Sequence, residues 1–148
     1  MWLYNYKEIH SHEDLLPECT DIVYLIEYTN GKRYIGMKRV RAVRRLKPTK
    51  KQLATRKNYV RKEQVDLPFI DYEGSHKIKD CPEISRKEII HQCSSKRTAT
   101  YLEAGCLFEA DAIFNPEYLN ENISGKFFDN ALEGLLEDTN EQYNRSSL

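Results

Sequence analysis

The 148-residue chain is expected to fold as a single α+β domain, a small antiparallel three-stranded sheet flanked by helices. Three observations lead there. Residues 23–36, "VYLIEYTNGKRYIG", read as two short strands about a tight turn. Residues 98–114, "TATYLEAGCLFEADAIF", place Leu102, Cys106, Leu107, Ala110 and Ile113 on or near one helical face. The length suits one modest core, with no internal repeat and no second domain.

Taken in order, residues 1–20 form a polar, aromatic-bearing N-terminal extension, with Trp2, Leu3, Tyr4 and Tyr6 expected along the outside of the sheet. Residues 22–28 are β-branched and aromatic, as a buried strand requires. Asn30-Gly31 tolerates the positive φ of a tight hairpin, and "RYIGMK" returns. The basic run 39–64 is expected to be partly helical, with a helix starting after Thr49 beyond Pro48. "CPEISRKEIIHQCSS" admits two structures, a short helix headed by Pro82 and Glu83 or the third strand through "KEIIHQC". Asn115-Pro116 is expected to stop the long helix. The domain proper is placed at 21–128, and an acidic, partly disordered tail at 129–148.

The formal net charge is zero, yet fourteen Lys or Arg and one acidic residue lie between Lys32 and Glu63. Nine basic and twenty-two acidic residues are left for the rest. Such segregation predicts a polyanion-binding face, where a solvated basic surface is the plainer alternative. Lys38, Arg39, Arg41, Arg45, Lys47, Lys50, Lys51, Arg56, Lys57 and Arg61 are its expected DNA-binding side chains. The start lacks a signal peptide's basic and apolar regions, and no stretch is apolar enough to cross a membrane. Cys19, Cys81, Cys93 and Cys106 show no CxxC spacing, which fits free thiols in a cytoplasmic protein.

A tyrosine in a strand usually belongs to a core or an interface. Here Tyr24 and Tyr34 sit on facing arms of the hairpin, a basic run follows, and Glu103 interrupts an apolar stretch of helix. Phosphodiester hydrolysis needs those parts: an oriented water, positive charge at the phosphate, and a carboxylate to hold a metal. A helix glutamate facing solvent is the ordinary alternative for Glu103.

This combination resembles the GIY-YIG nuclease superfamily, most closely its phage-encoded, homing-endonuclease-like members. Ile22-Val23-Tyr24 stands for the first motif, with isoleucine where the family has glycine, and Tyr34-Ile35-Gly36 matches the second. Tyr72-Glu73-Gly74-Ser75 and Ile89 through Ser95 are similar to further elements of that branch. The resemblance, over about residues 22–125, implies a metal-dependent endodeoxyribonuclease that nicks one strand per active site. It implies Tyr24, Tyr34, Arg44, Glu103 and Asn120 as catalytic residues, with Arg41, Arg45, His76 and Asn122 as alternatives. It implies Glu103 as ligand of one Mg²⁺ or Mn²⁺. His91 joins His76 as a candidate for proton transfer, a surface or structural role being the plainer one. DNA is the implied partner, with a homodimer or a targeting protein needed for paired cuts, and the host cytoplasm is the implied location. Two other classes stay open: a catalytically inactive DNA-binding module of the same fold, and a protein-docking or inhibitor module working through the acidic half.

Overall fold

The computed structural model of the protein describes residues 1–75, 82–129 and 132. At its centre, β3 (Asp21–Tyr28) pairs antiparallel with β4 (Arg33–Arg39) on one side and with β7 (Ile84–Cys93) on the other. These are the three antiparallel strands expected, and "KEIIHQC" is strand. Buried Lys87, Ile89 and Cys93 alternate along it, a period a helix would not give.

The sheet is nevertheless larger and mixed. The N-terminal hairpin of β1 (Trp2–Tyr4) and β2 (Lys7–Ile9) extends it, with β1 parallel to β7, giving five strands in the order β2-β1-β7-β3-β4. The N-terminal residues thus form two strands of the sheet. Their turn has Asn5 and Tyr6 both at positive φ, 48° and 66°, the conformation two-residue hairpins favour. Tyrosine is an unusual residue for it, so the sequence carries a weak turn signal there. Trp2 draws the hairpin in: it is fully buried, and its indole Nε1 donates to the Phe69 carbonyl at 3.0 Å.

The two faces of β3 carry separate cores. Ile22, Tyr24, Ile26 and Tyr28 pack with Trp2 and Phe69, while Val23 packs with Ile35, Ala99 and Leu107. The second core lies under α2 (Lys96–Glu109), which Ser95 caps by accepting from the Thr98 amide. The helix ends earlier than expected, because Asp111 turns the chain at φ 52° before Asn115-Pro116 is reached.

The basic run holds the expected helix, α1 (Lys50–Thr55), with Thr49 in a capping box with Gln52. Most of the rest is strand: β5 (Arg41–Leu46) and β6 (Arg61–Asp66) pair antiparallel as a separate two-stranded sheet. Both strands are largely exposed, so no apolar alternation marks them in sequence. Their root is fixed instead. Arg41, buried, donates to the carbonyls of His12, Leu16, Pro17 and Cys19 and pairs with Asp66. A short hairpin, β8 (Asn122–Ile123) and β9 (Phe127–Phe128), closes the described chain apart from Asp129 and Leu132. Most of the expected acidic tail lies outside the described residues, and so do Cys81 and His76. Cys19, Cys93 and Cys106 are free thiols. No helix among the described residues is long and apolar enough to cross a membrane.

Candidate active site

Tyr24 stands opposite Gly36 in the β3–β4 register. The phenol is fully buried and folds over the glycine toward Tyr34, the ring centroids lying 6.2 Å apart. A Cβ at position 36 would lie 2.6 Å from Tyr24 Cζ and 3.0 Å from Tyr34 Cε1. Glycine is thus required there for space. Gly36→Ala is expected to cost about 1–3 kcal/mol by overpacking, read as a lowered denaturation midpoint, and to push the two phenols apart.

A third tyrosine completes the cluster. Tyr24 Oη donates to Tyr72 Oη at 3.4 Å, with the rings edge to face at 5.8 Å. Tyr34 Oη lies 3.1 Å from Ser75 Oγ. The turn containing Tyr72 and Ser75 therefore folds over both motif tyrosines. Burial pushes the Tyr24 phenol far above its ordinary range, and the hydrogen bond to Tyr72 adds to the rise. Tyr34 is also raised, by burial first, with the Ser75 bond working against it. Both are neutral hydroxyls at neutral pH.

Glu103, on α2, is within electrostatic reach of the two phenols. Its negative charge contributes to the rise of both Tyr24 and Tyr34, and burial lifts its own carboxyl above the usual range. Among the described residues it has no hydrogen bond and no ion pair. A desolvated carboxylate without a counter-charge is unfavourable unless a cation joins it. Among those residues no group of three His, Cys, Asp or Glu converges on one point. A divalent ion placed here would have Glu103 as its carboxylate ligand and would keep most of its water, as Mg²⁺ commonly does.

Lys38 stands beside the tyrosine cluster. Tyr34, Gly36 and Lys38 alternate onto one face of β4, and Lys38 Nζ lies 4.8 Å from the centre of the Tyr72 ring. In the sequence Lys38 stands out only as one of the basic phosphate contacts, and nothing local marks its approach to Tyr72. The "Tyr-x-Gly-Ser" turn was the available signal for Tyr72.

The arginines lie apart from this cluster. Arg41 is committed to the backbone carbonyls at the root of the β5–β6 arm. Arg44 is exposed on β5 and pairs with Glu63 at 2.7 Å across the arm. Arg45 is exposed on the opposite face of that arm, together with Lys62. Lys47, Lys50, Lys51, Arg56, Lys57 and Arg61 are exposed along the same arm and its tip, and Arg39 pairs with buried Asp21. Asn120 holds β4 from outside: its Oδ1 accepts from the Ile35 amide at 3.0 Å and its Nδ2 donates to the Ile35 carbonyl at 2.7 Å. Asn122 is used locally, accepting from the Gly125 amide. His91 stands opposite Val23, in register with the strand face that packs under α2.

No curated protein and no solved structure matches the chain. Residues 2–123 match the family model described as "Putative endonuclease segE, GIY-YIG domain". That match takes in the N-terminal hairpin, both motif strands, the turn with Tyr72, α2 and Asn120. The chain belongs to the GIY-YIG nuclease superfamily.

Proposed function

We propose that the protein is a divalent-metal-dependent endodeoxyribonuclease that hydrolyses one strand per active site. The observation that carries this is a pair of packed motif tyrosines with a half-buried carboxylate in electrostatic reach, Glu103, that has no ion pair among the described residues. Tyr34 Oη, neutral at working pH, holds the attacking water as a hydrogen-bond partner and is too weak an acid to serve as tyrosinate unaided. Lys38 faces the phosphate and offsets the charge that develops on its oxygens. Tyr24 and Tyr72 set the position of Tyr34 through their packing and shared hydroxyl contact. Asn120 keeps the β4 backbone in place beneath them. When bound at Glu103, the divalent ion supplies charge neutralisation at the scissile phosphate. A double-strand break then requires a second copy or two successive nicks.

Nicking of supercoiled plasmid with Mg²⁺ or Mn²⁺ tests the proposal. EDTA and Glu103→Ala should each abolish it. Lys38→Ala is expected to lower the rate about 10²-fold or more, the scale of losing one transition-state charge partner. Arg44→Ala should stay within a few-fold of wild type, because an exposed ion pair contributes only about 0–1 kcal/mol. A wild-type protein inactive on duplex, single-stranded and branched DNA would overturn the nuclease assignment. If Arg44→Ala abolished activity and Lys38→Ala spared it, the phosphate-facing roles assigned here would be reversed.

A further inference from the structure

We infer that the β5–β6 arm is a ribbon that enters the major groove of the DNA substrate; this rests on the nuclease proposal and specifies how its substrate is held. The arm is a two-stranded antiparallel sheet of its own, rooted where Val40 and Arg41 donate to the Thr20 carbonyl and Leu67 donates to Val40, with Gln64 also donating to the Pro17 carbonyl at 3.5 Å. It leaves the main sheet directly after Arg39, at the end of the strand that carries Tyr34, Gly36 and Lys38. Six residues per strand span roughly 20 Å. Two strands side by side have the cross-section that the major groove, about 12 Å wide, admits.

The charges of the arm are arranged for an anion that the free protein does not contain. Arg45 stands directly opposite Lys62 in the register, so two cations share one face. Like charges directly opposed in an antiparallel pair are destabilising. On the other face Arg44 has Glu63 as partner, and at the root Arg41 has Asp66, whereas the Arg45–Lys62 pair has no carboxylate among the described residues. The repulsion disappears when phosphates lie on both sides of the ribbon, as they do in a groove. Val43 and Val60, 55% and 53% exposed, stand among these cations. Exposed apolar groups on such a ribbon can meet thymine methyl groups in the major groove. A single-strand binder would instead present exposed aromatic rings for stacking; neither β5 nor β6 contains one, and Tyr59, next to Val60, is half-buried.

The test uses the full chain in EDTA, so that binding is read without cleavage. Fluorescence anisotropy would compare one short duplex with its single strand across a salt series. Wild type should favour the duplex about tenfold or more, with log affinity falling linearly in log salt. Arg45→Glu places a carboxylate opposite Lys62, so the free protein should melt at the same temperature or higher. Its duplex affinity should nevertheless fall about tenfold, with a salt slope shallower by ~1–2, one or two phosphate contacts having gone. Bound wild type should also protect guanine N7, in the major groove, from methylation.

Equal affinity for duplex and single strand would overturn the inference. Unchanged duplex binding by Arg45→Glu, or binding without N7 protection, would do so as well. Because turnover plays no part, failure here and failure of plasmid nicking are separate results.

Discussion

Trp2→Ala is expected to destabilise the protein by about 3–5 kcal/mol, the usual cost of removing a large buried aromatic side chain. Small domains have ~5–15 kcal/mol in total, so this one change near the chain start should leave a large unfolded fraction at 37 °C. The side chain is fully buried and meets the Tyr24 ring edge to face at 5.3 Å. Lys87 Nζ lies 4.6 Å from its ring centre, and Phe69 loses a hydrogen-bond donor when the indole goes. Lys87 is itself buried, and its ammonium is held by the carbonyls of Ile70 and Tyr72. Chemical denaturation followed by far-UV circular dichroism measures the effect. Trp2→Phe, which keeps the ring and loses the donor, should recover most of it. A Trp2→Ala protein of near wild-type stability would mean that the hairpin of β1 and β2 is peripheral.

The second large effect is at Glu103, where activity and stability should move in opposite directions. Glu103→Gln is expected to reduce nicking by at least about 10³-fold, since it removes both the metal ligand and the charge. It should also raise the melting temperature at neutral pH by roughly 1–4 °C, the shift that a few tenths to one kcal/mol gives in a domain of this size. The sign follows from linkage. Burial raises the Glu103 carboxyl, so the folded chain holds that proton more tightly than the unfolded chain does. Its contribution is least favourable above the raised value. It improves as pH falls through that value toward the ordinary carboxylate range. Glutamine removes this dependence, so the gain over wild type should be largest at neutral and alkaline pH and vanish in acid. Protons and metal compete for the same carboxylate, so the acid limb of wild-type nicking should shift to lower pH as Mg²⁺ is raised. Parallel melting curves and rates across pH check all three. A Glu103→Gln protein that melts lower at pH 8 would show that the carboxylate is satisfied in the free fold.

The legible parts of the sequence were those with a local signature. The Asn-Gly turn, the continuous apolar run of β3 and the helical spacing of α2 each express one physical rule over a few residues. The pairing of Tyr24 with Tyr34 through Gly36 was legible for the same reason, since a hairpin register fixes which residues face each other. The rest depended on contacts between distant segments. Trp2 enters the sheet by packing on Tyr24 and Phe69, and neither contact leaves a mark on the residues around position 2. The strands of the basic arm carry no buried face, so hydrophobic periodicity could not reveal them. The strand period of two brings Lys38 back to the face of the phenols, a placement that only the register of β4 reveals. Arg41, one arginine of a basic run, holds four loop carbonyls and one carboxylate, partners that charge type alone does not reveal.

The position of β4 at the margin of the sheet has a consequence for solubility. An uncovered strand edge is a template for pairing with another chain. Here Glu117 and Leu119 hydrogen-bond to Arg33, and the Asn120 amide takes both polar groups of Ile35, so the first half of that edge is sealed by the chain itself. The described segments leave uncovered only the half that runs past Gly36 toward Lys38. That remainder is short and carries Lys38 and Arg39, whose like charges discourage a second copy from adding a strand. In the proposed mechanism a phosphate would approach Tyr34 along this same half-edge, so a single arrangement of charge would repel self-association and admit a polyanion.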